Sequence, residues 1–209
     1  MRVVLTSQLL FVLVLALGVS VVGSAVRAQE PGPPQTVLQP IVGGWSLLAN
    51  TGPAVAPRTL LDPIDDLVTA AFTFDPVLDR FRSYRPGVGG ASDLTQVDSG
   101  AALWVFVPPS RLGGDVAFLE LPGSERGLPA TLQPGFTLVG WTGAEGVRIS
   151  EAVAGLPVRR AYQWEGALQR FRIWDLNLPG VLNDDFLLEY GAGLWIDLGG
   201  GESVVWEQE

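Results

Sequence analysis

The chain repeats itself. GGWSLLANTG at 43–52 returns as PGFTLVGWTG at 134–143, and AFTFDPVLDRFRSY at 71–84 returns as AYQWEGALQRFRIW at 161–174. SGAALWVFV at 99–107 returns as YGAGLWIDL at 190–198, and GGDVAFLEL at 113–121 as GGESVVWEQ at 200–208. The offsets are 91, 90, 91 and 87. Four blocks in one order at near-constant spacing mark an internal duplication, and whatever one copy folds into the other must fold into as well. The copies span 43–121 and 135–208, with a Gly- and Pro-rich connection at 122–134.

Each block carries a local prediction. Trp45, Leu47 and Leu48, like Phe136, Leu138 and Val139, follow a glycine and run into Thr-Gly, which reads as a short strand ending in a turn. Apolar residues then recur at three and four spacing (Leu60, Leu61, Ile64, Leu67; Ile149, Val153), predicting one short helix per copy. Ser150 is a candidate N-cap, Gly155 a candidate C-cap, and Pro63 weakens the first helix. A hairpin follows: Phe72 and Phe74 alternate, DPVLD turns, and Phe81 and Tyr84 lie on the return; Tyr162, Trp164, EGALQ, Phe171 and Trp174 repeat the pattern. Leu103–Val107 and Leu194–Leu198 are apolar strands that invite burial on both faces, so Trp104 and Trp195 are expected in the core. The expected fold is mainly β: two similar small antiparallel units, barrel- or sandwich-like, each with about five strands and one short helix. Cores this small are marginal alone, so the two units are expected to pack closely.

The N-terminus predicts a compartment. Arg2, an apolar run from Leu9 to Val22, and Val26-Arg27-Ala28 before Gln29 have the layout of a secretory signal peptide over 1–28. The alternative is an uncleaved N-terminal anchor. Residues 29–42, QEPGPPQTVLQPIV, read as a Pro-rich extended linker. Loss of 1–28 removes Arg2 and Arg27, leaving 11 basic residues against 22 acids and taking the net charge from −9 to −11. That sign excludes nucleic acid as a partner and disfavours anionic lipid, so membrane contact is expected only through an uncleaved N-terminal segment.

Residue types narrow the chemistry further. There is no Cys, no His and no Lys, so thiol catalysis, the usual general base, the Ser-Lys arrangement and the commonest metal ligands are missing. No phosphate loop or dinucleotide fingerprint occurs. Carboxylates remain: Asp62, Asp65 and Asp66, and Asp184-Asp185. Only Asp184 has a counterpart, Asp93, so these read as solvated loop or helix positions rather than a facing acid pair. No cofactor or metal is expected. The one repeated polar-aromatic pattern lies on the return strands, where Arg80, Arg82 and Tyr84 share a face by the two-residue period, as do Arg170, Arg172 and Trp174. These six are the candidate ligand-binding residues, against the plainer reading of a sheet surface on which Arg stems cover aromatic rings.

The blocks also resemble a known tandem repeat of exported bacterial proteins: G-W-x-L leading to W-T-G, then Y-x-W-[DE] with F-R-x-[YW], then L-N, then G-x-G-x-W. The second copy carries it best, at Gly135–Gly143, Tyr162–Trp174, Leu182-Asn183 and Gly191–Leu198. The first departs at Asp93-Leu94 and at Ala102-Leu103. The resemblance implies an exported β-rich module and transfers no catalytic residue. Together these features predict a secreted or extracytoplasmic, non-catalytic repeat module with a structural or adhesive role at the cell surface. The alternative is a carbohydrate- or peptide-binding module using the Arg-aromatic face. The expected partner is a cell-surface glycan or protein.

Overall fold

Among the described residues, twelve strands lie in six matched pairs. In the first copy they are β1 (Thr36–Ile41), β2 (Gly44–Ala49), β3 (Ala70–Asp75), β4 (Arg80–Tyr84), β5 (Ala102–Val107) and β6 (Ala117–Pro122). In the second they are β7 (Ala130–Leu132), β8 (Gly135–Gly140), β9 (Val158–Glu165), β10 (Arg170–Asp175), β11 (Gly193–Leu198) and β12 (Val204–Trp206). The structure, a computed structural model, describes residues 36–88, 90–123 and 127–208. The expected signal peptide and the first part of the expected linker lie outside the described residues.

The pairing repeats with the strands. One four-stranded sheet has the order β2-β5-β3-β4 and the other β8-β11-β9-β10; β1 pairs with β6 and β7 with β12. All pairs are antiparallel. The fold is therefore mainly β, with two similar antiparallel units. In each, a four-stranded sheet faces a two-stranded ribbon across a core. Helix α1 (Pro57–Leu61) and its counterpart α3 (Ile149–Ala152) add to these cores, and a further short helix, α2 (Pro109–Leu112), occurs in the first copy.

Strand alternation selects what is buried. Leu103, Val105 and Val107 of β5 are fully buried, as are Leu194, Ile196 and Leu198 of β11. The first core adds Leu60, Leu61 and Ile64 beneath Ile41, Leu119 and Leu121. The second adds Ile149, Val153, Phe186 and Leu188, with Trp141 and Trp206 tilted together at 5.3 Å. Each fully buried Leu or Ile contributes about 1.5–3 kcal/mol, so each copy carries its own hydrophobic stabilisation.

Several expectations are corrected. Residues 36–41 form β1, paired along its length with β6, and Ile41 is fully buried; the folded part begins at or before Thr36 rather than Gly43. The alternation of Val37, Gln39 and Ile41 toward the core was hidden by the prolines, which edge strands tolerate. The 122–134 connection likewise contains β7. Each copy thus has six strands rather than five. Ser150 does not cap α3 with its own side chain; its N–H and hydroxyl donate instead to the Asp185 carboxylate at 3.0 and 2.9 Å.

The copies are joined reciprocally. The Ala49 N–H donates to Gly191 O at 2.9 Å, and the Gly140 N–H donates to Gly100 O at 2.7 Å. Ala49 corresponds to Gly140 and Gly100 to Gly191, so the contact is made twice with roles exchanged, as across a two-fold axis. Gly140 must lack a side chain, because a Cβ there would strike the Ala49 methyl and lie 2.9 Å from Gly100 O. The opposite edges are closed within each copy. Asp93 and Leu94 donate to Ser83 O at 3.0 and 2.9 Å, and Asp184 donates to Ile173 O at 3.1 Å. Covered edges cannot pair with stray strands.

Candidate functional site

Arg80, Arg82 and Tyr84 do share one face of β4, and Arg170, Arg172 and Trp174 one face of β10, but the aromatic ends of both faces turn into the cores while Arg80 and Arg170 stay exposed. Tyr84 packs against the first core, and its hydroxyl lies 3.3 Å from Asp65 Oδ1. Burial, reinforced by Asp65, pushes its pKa above the ordinary phenol value. Trp174 is 7% exposed and belongs to the second core, so it offers no ring for stacking. Arg82 is paired with Asp75, and Arg170 with Glu165 at 3.0 Å. Arg172 makes a two-pronged pair with Asp184, 2.8 Å on each side, and its guanidinium lies 5.4 Å from the centre of the Phe186 ring. Five of the six residues of the Arg-aromatic faces are thus occupied by contacts within the chain, and Arg80 is exposed.

Three carboxylates are engaged in the same way. The Arg172 hydrogen bonds hold the Asp184 carboxyl below the usual carboxylate range. The Leu78 N–H, then Arg82, does the same for Asp75, and the Ser83 N–H for Asp93. Carboxyls held ionised in this way are poor general acids. Among the described residues no cluster of three or more His, Cys, Asp or Glu side chains is arranged to hold a metal ion.

The opposite faces of the two sheets carry the unassigned chemistry. Trp104 and Trp195, expected in the core, project outward between buried neighbours and are only half-buried. They meet rings from the other copy. Trp104 lies 5.3 Å from Trp164 and 6.0 Å from Phe171; Trp195 lies 5.1 Å from Phe74 and 6.0 Å from Phe81. Trp104 corresponds to Trp195, Trp164 to Phe74 and Phe171 to Phe81, so these contacts too are reciprocal. Trp45 against Trp104 at 6.0 Å is matched by Phe136 against Trp195 at 6.2 Å. Edge-on and tilted geometries prevail, which ring quadrupoles favour.

The rings enclose two open grooves. The first, about 440 Å³, is lined by Trp45, Phe72, Phe81, Trp104, Trp164 and Phe171. The second, about 870 Å³, is lined by the six counterparts, Phe136, Tyr162, Phe171, Trp195, Phe74 and Phe81, together with Pro76, Asp79, Pro134, Gly135 and Ile173. Phe81 and Phe171 serve both and form the ridge between them; they are 52% and 40% exposed. An apolar face this contiguous is uncommon on a protein that meets only water.

By the same two-residue period Phe81, and Phe171 with Ile173, fall on the face opposite the arginines. The usable signal was the alternation of Phe72 with Phe74 and of Tyr162 with Trp164, which puts four more rings on the same side. Comparisons with protein-family models, with curated proteins and with solved structures gave no match.

Proposed function

We propose that this chain is a non-catalytic extracytoplasmic module that adheres to a partner at the cell surface through the aromatic face shared by its two copies. One observation carries the reading: rings from both copies interlock into a single half-exposed apolar face bearing two grooves. The absence of Cys, His and Lys from the sequence supports a non-catalytic role, as does the engagement of Asp184 by Arg172. The signal-peptide pattern at 1–28 and the resemblance to repeats of exported bacterial proteins support the compartment.

Four of the seven tryptophans, Trp45, Trp104, Trp164 and Trp195, line this face, so occupancy reports itself in intrinsic fluorescence. The test is co-sedimentation of purified protein with envelope fragments of the producing cell. The Phe81→Ser/Phe171→Ser variant is expected to stay in the supernatant. Val181→Ser, at a side chain 92% exposed and away from the face, is expected to sediment like wild type. Equal sedimentation of all three proteins would overturn the reading.

A further inference from the structure

The two grooves differ at one point. In the first, the edge backbone of Trp45 is clasped by a side chain from the other copy. The Trp45 N–H donates to Gln169 Oε1 at 2.9 Å, and Gln169 Nε2 donates to Trp45 O at 2.8 Å. The Trp164 indole N–H also donates to Trp45 O, at 2.9 Å. The carboxamide thus satisfies the strand edge as one residue of a neighbouring strand would.

The counterpart edge in the second groove has no such clasp. Phe136 replaces Trp45, Asp79 replaces Gln169, and Phe74 replaces Trp164. Asp79 and Gln169 adopt the same left-handed backbone, φ 49 and 48°, so both side chains leave an equivalent turn. Yet a carboxylate has no N–H to give and is one carbon shorter, and a phenyl ring has no donor. The Gly140 N–H points away from β11 to Gly100, so by the two-residue period the Phe136 N–H and C=O also point away from β11. No hydrogen bond to either occurs among the described residues. The space beside them is empty. A Cβ on Gly44 would lie 2.5 Å from Gln169 Oε1, whereas a Cβ on its counterpart Gly135 would meet nothing within 4 Å. The second groove is also about twice as large, 870 against 440 Å³.

We infer that the second groove is a receptor for a peptide of a partner protein that presents a glutamine or asparagine carboxamide to the Phe136 backbone, with an adjoining apolar side chain among the rings of Phe136, Tyr162 and Trp195. The inference deepens the adhesive reading and rests on it. The internal Gln169 clasp is the template for the bound state. The geometry selects a primary carboxamide over an N-acetyl sugar, because a carboxamide offers its C=O and one N–H on the same side. A trans acetamide offers them on opposite sides and cannot serve both groups of one residue. The Asp79 carboxylate on the rim, on a chain of net charge −9, favours a neutral or basic peptide over an acidic one.

The probe is the chain's own clasp sequence as a blocked peptide, acetyl-Gly-Ala-Leu-Gln-Arg-N-methylamide, whose only primary carboxamide is the Gln side chain, titrated into ¹⁵N-labelled protein. The expected result is a saturable shift of the Phe136 amide resonance. The Gln→Glu peptide is expected to bind about tenfold or more weakly, since it loses the donor to Phe136 O. In Asp79→Gln protein the new side chain supplies its own clasp, and peptide affinity is expected to fall by a similar factor while the fold is retained. No shift at millimolar peptide overturns the inference, as does undiminished binding in Asp79→Gln. A tetramer of N-acetylglucosamine that shifts Phe136 where the peptide does not also overturns it. If the peptide fails while co-sedimentation still depends on Phe81 and Phe171, the carboxamide receptor is wrong and the adhesive face stands. If both fail, the face itself is not the contact surface.

Discussion

Arg172 and Asp184 show how a charged residue is used on the inner side of these sheets. The pair ties β10 to the loop that closes its edge, and its hydrogen bonds lower the Asp184 pKa. A carboxyl whose folded pKa lies below its unfolded value of about 3.9 adds stability above that value, and the contribution is lost as pH falls through the folded pKa. Asp184→Asn is therefore expected to lower the urea midpoint at pH 7, with the gap to wild type closing below about pH 4. Both side chains are over a third exposed, so the effect is small. Gln169→Ala removes three exposed hydrogen bonds, two to the Trp45 edge and one to Gly166 O, and is expected to cost about 1–2 kcal/mol, read from the same midpoint. It also opens the first groove, which a gain in dye binding would register.

At the scale of the strand, alternation decides which substitutions matter. Leu103→Ala, on the buried side of β5, is expected to cost about 2–5 kcal/mol by chemical denaturation. Trp104→Ala, one residue on but facing outward, is expected to cost less and to change the tryptophan emission of the ring cluster more. The period of two was readable along β4 and β10: Arg80, Arg82 and Tyr84 do share a side, opposite Phe81. Which side faces the core was not readable. Two arginines beside an aromatic ring look like a solvent face; the carboxylates that meet them, Asp75 on Arg82, Asp184 on Arg172 and Asp65 on the Tyr84 hydroxyl, make the arrangement tenable inside. That Phe81 and Phe171 stand in a shared outer face was unreadable for the complementary reason. Part of their ring contact comes from the other copy, Trp195 for Phe81 and Trp104 for Phe171, 114 and 67 residues away, and no local pattern records that. The duplication itself was legible because it is written in the residues, whereas β1 was obscured by prolines at an edge where they do no harm.

At the largest scale, two cores are coupled by a reciprocal backbone joint, by the interlocked rings and by the Gln169 clasp. The glycine at 140 sets how closely the halves approach. Gly140→Val is expected to force β8 away from Ala49 at a cost of about 1–3 kcal/mol, or roughly 2–4 °C in Tm for each kcal/mol. Calorimetry is expected to show a single transition in wild type and a broadened or divided one in the variant, because the joint is weakened while both cores remain intact.

The exchange of roles between Ala49–Gly191 and Gly140–Gly100 is the arrangement by which two identical subunits would meet. Here the subunits share one backbone, so what would be a concentration-dependent encounter becomes an intramolecular closure that dilution cannot reverse. Covalent fusion also frees the twins from identity. Asp79 and Gln169 could diverge, one half keeping its own seal while the other was left vacant, which no homodimer encoded by a single copy could do.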